Sequence, residues 1–345
     1  MLRKYFWLLS LLLLSGCRDA IDLEDRSYVL SAGADAKNFY AAVADAKAAS
    51  EGKTEYTKTF CAARDTIRES IEAIDLLSDK KLYLGHIKAF ILSPDFCRDS
   101  AKMAELSDFL RSNTEISKKA EILTASGEIS KVIKDSSFFI QNYRENNKDE
   151  LVGGYSLNAG DFCKAFARGG GFLIPQIDKD GESVCGAAII NDGAFAGFLG
   201  KDELRGVLWL KTSGRSVLSV PSGGGFVPVE VKSVRRKFSF SQNENALIIA
   251  PEATVRAAAE YGGDTPEARE FLAREAARII GEEIAKSYEI LRNKNADVYG
   301  FRRRMEIKNY ELYEKAAATP EIWRETFRNA EMRPSVRAKI YSNSV

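Results

Sequence analysis

The sequence predicts a protein of the α+β or mixed α/β class, with mixed sheets and more than one domain. Strand-like and helix-like patterns alternate in the first half of the chain, and a long amphipathic helix follows two strands in the second half. The length of 345 residues is also large for a single hydrophobic core. We therefore predict three domains, over residues 17–145, 146–214 and 215–345, after an N-terminal signal peptide at residues 1–16.

The predicted N-terminal domain has the alternation of an α/β fold. Segments with strand character lie at 28–31, 54–60, 82–92 and 120–126. The run at 82–92 is almost wholly apolar, which predicts one buried strand ending before Pro94. Helices are predicted at 62–77, where isoleucines repeat at helical spacing, and at 101–113.

The predicted middle domain is rich in glycine. A run of three glycines at 169–171 precedes a short apolar strand, and we expect it to form a turn. Farther along, Asn191, Asp192 and Gly193 separate the apolar runs 185–190 and 194–199. An Asn/Asp-Gly turn between two such runs is the strongest short-range signal for a β-hairpin.

The predicted C-terminal domain is a sheet packed against a long helix. Valines alternate along a strand from Val227 to Val231, and the apolar phase then shifts, which predicts a bulge near Ser233. A further strand is predicted at 247–259. Thr265 and Pro266 have the pattern of an N-cap and first helical residue, for a helix that runs to about 293. Its apolar stripe comprises Leu272, Ala276, Ile279, Ile280, Ile284, Tyr288 and Leu291. A last helix at 320–328 leads to a closing strand at 336–341.

The first seventeen residues have the order of a secretory signal. Arg3 and Lys4 precede an apolar run at 6–14, and Leu14-Ser-Gly-Cys17 follows it. The run is too short to span a bilayer as a helix, which needs about 20 residues. Its ending resembles a bacterial lipobox, which implies an S-diacylglycerol group and an N-acyl group on Cys17. Two or more acyl chains hold a protein stably on a membrane. The alternative is an ordinary signal peptide or core segment that contains a cysteine.

Charge and cysteine content narrow the function classes. The chain has 50 basic and 49 acidic residues, and this balance argues against a nucleic-acid-binding protein. Besides Cys17 there are four cysteines: Cys61, Cys97, Cys163 and Cys185. We expect mostly unpaired, buried thiols, although an exported chain could pair four cysteines in three ways.

Catalytic patterns are weak. His86 is the sole histidine, which removes paired-histidine metal sites, and its apolar surroundings predict a packed, hydrogen-bonded side chain. Ser78-x-x-Lys81 fits a Ser/Lys pattern, but the accompanying Lys-Thr-Gly and Ser-Asp-Asn motifs are missing from the sequence. The basic clusters 235–237 and 302–304 are interpreted as solvated faces, with contact to anionic headgroups or an acidic partner as the alternative. We predict no enzyme, no cofactor and no metal site.

Several segments together resemble a known family. They lie at 14–17, 22–26, 83–88, 106–111, 186–210 and 297–300, with Glu115, Ile116, Trp323 and the final strand. In this order and spacing they are similar to the Ger(x)C lipoproteins, the C subunits of GerA-type germinant receptors in endospore-forming bacteria. The chain departs from the pattern at its end, Ser342-Asn-Ser-Val345, and in the Ser-Asn pair after Arg111. These departures leave the subfamily and the germinant open.

The resemblance implies a non-enzymatic receptor subunit needed for spore germination. It implies a lipid anchor on the extracytoplasmic face of the cell membrane, in spores the inner membrane. The implied partners are a multi-pass A subunit and a transporter-like B subunit. The only site residue that carries over is Cys17. Two other classes stay open: a lipid-anchored solute-binding protein of a transporter, and a membrane-anchored cell-wall enzyme using Ser78, Lys81 or His86.

Overall fold

The computed structural model describes residues 26–45, 57–125, 127–178, 183–243 and 246–342. Within these residues the strands form one nine-stranded and one five-stranded sheet, both mixed, with helices packed on them. The predicted fold class is confirmed, and so is the C-terminal sheet on a long helix. The predicted signal peptide and Cys17 lie outside the described residues.

The first sheet is parallel at its centre and antiparallel at both sides. Its strands are β1 (Arg26–Ala34), β2 (Phe39–Ala44), β3 (Thr57–Ala62), β4 (Lys81–Tyr83), β5 (Ala89–Leu92), β6 (Glu121–Ala125), β7 (Gly171–Ile177), β8 (Val184–Asn191) and β9 (Ala194–Gly200). Their order is β3-β2-β1-β5-β6-β7-β8-β9, and β4 pairs with the start of β1. The steps from β1 to β7 are parallel, whereas β2, β3, β8 and β9 are joined antiparallel.

Helices cover both faces of this sheet. They are α1 (Ile67–Leu77), α2 (Pro94–Arg98), α3 (Ser100–Ser112), α4 (Ile129–Asn147), α5 (Ala159–Arg168) and α6 (Lys201–Lys211). Apolar residues of α1, α2, α3 and α5 share one core with one set of alternating strand residues, and α4 shares a second core with the opposite set. This arrangement follows from the two-residue period of a strand, which sends neighbouring side chains to opposite faces.

The start of α1 shows why the sequence forms a helix there. Thr66 accepts a hydrogen bond from the backbone N–H of Glu69, and the Glu69 carboxylate accepts one from the N–H of Thr66. This capping box satisfies two helix-end donors, so the helix begins at Ile67 rather than at 62 as the apolar spacing predicts.

The single strand predicted at 82–92 is wrong. The structure has β4, a 3₁₀ turn at Leu84–His86, and then β5. Both strands pair with β1. On β1, two residues lie between the part that pairs with β4 and the part that pairs with β5, whereas five residues lie between β4 and β5 themselves. The 3₁₀ turn accommodates the additional residues between β4 and β5. A continuous strand would keep one register with β1 and has no place for them.

The predicted middle domain shares its structure with both neighbours. The hairpin predicted at 191–193 is confirmed: Asp192 and Gly193 have φ values of 48° and 80°, as a type I′ turn requires. Its strands, with β7, extend the first sheet across the predicted boundary at 145. One face of these strands joins the N-terminal core, and the other joins the C-terminal core. The division into 17–145, 146–214 and 215–345 stays a prediction.

The second sheet forms the C-terminal part. Its strands are β10 (Ser216–Ser222), β11 (Gly225–Gln242), β12 (Leu247–Ala259), β13 (Glu331–Met332) and β14 (Ser335–Ser342). The helices are α7 (Pro266–Asn293), α8 (Phe301–Lys308), α9 (Tyr310–Ala316) and α10 (Pro320–Asn329). The predicted bulge is confirmed by a register shift between Val231 and Ser233. Thr265 caps α7, and six of the seven stripe residues are buried in the same core as β11 and β12.

Candidate functional site

The chain enters the described structure at one end of the first sheet, which we call the N-terminal tip: residues 26–28, 76–83 and 86. Here the Ser78 hydroxyl donates a hydrogen bond of 2.8 Å to the Ser27 hydroxyl, which joins the end of α1 to the start of β1. The Arg26 guanidinium lies 4.7 Å from the centre of the Tyr83 ring. The tip is therefore held together by contacts from the start of β1 to the end of α1 and to β4.

His86 lies in the tip but not as the sequence predicts. Its side chain is exposed, whereas the sequence predicts a packed, hydrogen-bonded histidine within an apolar strand. The ring packs edge-on against two tyrosines, 5.0 Å from Tyr28 and 5.6 Å from Tyr83 between ring centres. The physical reason is the 3₁₀ turn at Leu84–His86, which interrupts the strand, so that Leu84 stays in the core while His86 is exposed.

Ser78 and Lys81 both lie in the tip, and the side chain of each has another partner. The Lys81 ammonium lies 2.6 Å from the Asp75 carboxylate, whose hydrogen bond raises the pKa of Lys81. A lysine held in its charged form cannot take a proton from a serine. Since the Ser78 hydroxyl hydrogen-bonds to Ser27, the geometry lacks the nucleophile–base contact that a Ser/Lys enzyme needs.

A connected set of polar groups lies where α6, next to the first sheet, crosses α7, which packs on the second sheet. We call residues 203–211, 283–287 and 297 the junction. The Glu283 carboxylate accepts hydrogen bonds of 3.1 and 3.2 Å from Nε of Arg205, and its Oε2 accepts one of 2.7 Å from the Trp209 indole. The hydrogen bonds to Glu283 raise the pKa of Arg205. The side chains of Arg205 and Glu283 are only 23% and 14% exposed, so solvent screens this ion pair weakly.

The two helices approach closely at Gly206. The Ser287 hydroxyl lies 2.8 Å from the Glu203 carbonyl and 2.7 Å from the Glu283 carbonyl, either of which can accept its proton. A Cβ added at Gly206 would lie 2.1 Å from the Ser287 hydroxyl and 2.3 Å from the Glu283 carbonyl. Only glycine fits this crossing. An ion pair of 2.8 Å between Lys286 and Glu203 adds to it.

Asp297 secures the other end of the junction. Its carboxylate accepts hydrogen bonds from the backbone N–H groups of Phe301 and Arg302, at 2.9 and 3.0 Å, at the start of α8. Burial raises the pKa of Asp297. The Lys211 ammonium donates a hydrogen bond of 2.6 Å to the Val298 carbonyl, so the last residue of α6 holds the loop that follows α7.

Comparison with known proteins identifies the family. Residues 19–179 match the family model described as the spore germination protein N-terminal domain, and residues 185–343 match the one described as spore germination B3/GerAC like, C-terminal. The chain belongs to the Ger(x)C family of spore germination proteins. A role in spore germination follows.

A solved structure gives the same fold for this Ger(x)C protein. The crystal structure of the GerBC protein aligns with 88% of this chain and 93% of its own, with a TM-score of 0.63 and 17% sequence identity. The comparison with curated proteins gives no significant match.

Three of the segments that resemble the Ger(x)C family reach the tip or the junction. Residues 83–88 contribute to the tip, and 186–210 and 297–300 contribute to the junction, including Arg205, Gly206 and Trp209. Arg205 and Trp209 both donate hydrogen bonds to Glu283. Glu283 lies outside these segments, and the sequence analysis did not identify it. Its carboxylate is one of many in α7, and sequence spacing alone does not select it.

The basic clusters at 235–237 and 302–304, predicted to be solvated faces, are only partly exposed to solvent. In the described structure Arg235 and Lys237 are exposed, but Arg236 donates a hydrogen bond of 2.6 Å to the Trp209 carbonyl. Arg302 and Arg304 likewise donate to backbone carbonyls, at 2.9 Å to Ala317 and 3.1 Å to Tyr299. These three arginines stabilise loops and helix ends.

The described residues include no helix long and apolar enough to cross a membrane. They also include no group of three or more His, Cys, Asp or Glu residues placed to hold a metal ion.

The four described cysteines are unpaired, but they differ in exposure. Cys97 is buried, Cys163 and Cys185 are half-buried and Cys61 is exposed, so the prediction of buried thiols is wrong for Cys61. Burial raises the pKa of the Cys97 thiol to about 12. The thiolate is the reactive form of cysteine, and at neutral pH Cys97 is almost wholly protonated.

We expect iodoacetamide at pH 8 to alkylate Cys61 in the native protein and to leave Cys97 unmodified, because Cys97 is both inaccessible and protonated. Peptide mass spectrometry after a short pulse measures both sites at once. A denatured sample, in which the two cysteines should react alike, is the control. Equal labelling in the native protein would contradict the structure.

Proposed function

We propose that this Ger(x)C protein is the lipid-anchored, non-enzymatic C subunit of a nutrient germinant receptor. It would lie on the extracytoplasmic face of the spore inner membrane, attached through diacylglycerol and N-acyl groups on Cys17, and act with multi-pass A and B subunits. The observation that carries the proposal is the family match, which covers residues 19–179 and 185–343 and begins two residues after Cys17. The lipobox-like Leu14-Ser-Gly-Cys17 supports the anchor.

The arrangement of polar groups supports the non-enzymatic assignment. Lys81 is paired with Asp75, and the Ser78 hydroxyl is bonded to Ser27. In the junction, Glu283 is used by Arg205 and Trp209 to hold two helices together. These groups have structural partners in place of the nucleophile–base geometry of an enzyme.

The alternative, a solute-binding protein of a transporter, has less support. Such proteins usually have two similar α/β lobes around a cleft. Here the described residues form a nine-stranded sheet with helices on both faces and a five-stranded sheet of different strand order. Tight binding of a small solute by this chain alone would favour that alternative.

The decisive experiment is Cys17→Ala in spores. Without the thioether, no acyl chains hold the mature protein, so we expect its loss from the spore membrane fraction and a strong fall in nutrient-triggered germination. Germination by calcium dipicolinate should stay normal because it bypasses the receptor. Immunoblots of membrane fractions and the fall in optical density after nutrient addition measure the two effects.

Cys61→Ala is the matched control, since Cys61 is an exposed cysteine far along the chain from the proposed lipidation site. It should keep both membrane attachment and the nutrient response. A normal nutrient response of the Cys17→Ala spores would refute the proposal.

A further inference from the structure

The N-terminal tip carries an exposed pair of leucines that the fold does not use. Leu76 is 88% exposed, the most exposed large apolar residue in the described structure, and its neighbour Leu77 is 61% exposed. Both lie in the last turn of α1, whose apolar residues Ile67 and Ile74 are buried. Single exposed leucines are common on protein surfaces, but two adjacent ones at a helix end form a small apolar projection.

Other tip residues are of the kinds found at membrane surfaces. The ring centres of Tyr28, Tyr83 and His86 are 5.0 to 5.7 Å from one another. The Arg26 guanidinium packs on Tyr83, and Lys81 is 61% exposed. Tyrosine and long basic side chains are enriched at the level of lipid headgroups, where an apolar body can be buried while a polar end stays in water.

The tip lies close in sequence to Cys17, the proposed lipidation site, and this indicates which surface the tip contacts. Arg26, the first described residue, pairs with Lys81 at the start of β4, and Ser27 is hydrogen-bonded to Ser78 next to Leu77. Arg26 follows Cys17 by nine positions, with eight residues between them. Such a segment spans at most about 32 Å when fully extended. The leucine pair therefore lies at the end of the body that a lipid on Cys17 would hold closest to the bilayer.

We propose that the tip rests in the headgroup region of the bilayer, with Leu76 and Leu77 reaching the acyl boundary. This rests on the anchor proposed at Cys17, since the tether brings the tip to the membrane. The contact fixes the orientation of the body: the start of β1 and the end of α1 face the lipid. Apolar side chains that enter an interface in this way, flanked by aromatic and basic groups, are typical of interfacial membrane contacts.

The test uses tryptophan as a depth probe in the full lipidated protein, reconstituted alone into vesicles whose lipids carry bromine on the acyl chains. Bromine quenches tryptophan only at close range. The native Trp209 and Trp323 are buried and give a constant background. Leu76→Trp is the probe, and Ile307→Trp is the matched control, because Ile307 is an exposed apolar residue, 69% exposed, on α8 of the other sheet.

We expect the added emission of Leu76→Trp to be quenched several-fold more than that of Ile307→Trp, and an intermediate value for Leu77→Trp. Quenching at position 76 no greater than at 307, with Cys17 shown to be acylated by mass spectrometry, would overturn the tip contact and leave the anchor standing. Absence of acyl groups on Cys17, with the protein free of the vesicles, would overturn both. Circular dichroism of each variant verifies that the fold is kept.

Discussion

Gly206→Ala is expected to destabilise the protein by about 3 kcal/mol or more, although the change adds one methyl group. The new Cβ would lie 2.3 Å from the backbone carbonyl of Glu283 and 2.1 Å from the Ser287 hydroxyl. A backbone atom cannot turn aside as a side chain can, so α6 and α7 must separate and lose the contacts between them. The midpoint of urea unfolding, compared at constant slope, measures the loss.

Gly281→Ala is the matched control on the partner helix. The same added methyl group would meet only Val336, at 3.8 Å, an ordinary van der Waals distance. Because alanine favours a helix interior over glycine, this variant should gain about 0.5–1 kcal/mol. Opposite signs at the two glycines would support the close crossing, and similar effects would contradict it.

Glu283→Gln is expected to cost about 3 kcal/mol, the lower end of the range for breaking a buried ion pair by removing one partner. The amide has nearly the size of the carboxylate but leaves Arg205, whose side chain is only 23% exposed, with the exposed carboxylate of Asp202 at 3.3 Å as its remaining counterion. The amide also presents one acceptor oxygen where the carboxylate presents two to Arg205 and Trp209.

Glu282→Gln removes a carboxylate from the adjacent position and serves as the control. Glu282 is 63% exposed and pairs with Arg278 on the helix surface, where such pairs contribute little. Urea unfolding should distinguish the two variants clearly. If Glu283→Gln were as stable as Glu282→Gln, the junction would not depend on this carboxylate.

Local signals in the sequence predicted much of the fold. Thr265 and Pro266 placed the start of α7, and Asp192-Gly193 placed the hairpin, because the backbone chemistry of caps and turns is set by residues close in sequence. The strand β12 was likewise predicted with its observed limits, and buried residues alternate with more exposed ones along most of it.

The features that the sequence did not predict depend on contacts between residues distant in sequence. The break between β4 and β5 comes from their register with β1, more than 50 residues away in sequence. The tip was not predicted, because the exposure of Leu76 and the packing of His86 on Tyr28 depend on how α1 and β1 meet. The junction needs Glu283 beside Arg205, 78 positions apart, and periodicity within either helix does not indicate that meeting.

The first sheet has a consequence for how this protein can be divided. The two matched family regions end at 179 and begin at 185, yet β7 and β8 on either side of that gap are antiparallel neighbours, hydrogen-bonded from Gly171 to Ile177. Dividing the chain in this gap would leave each fragment with an unpaired strand edge, and such edges pair with strands of other chains. We therefore expect either half, expressed without the other, to be prone to aggregation through the exposed edge of β7 or β8.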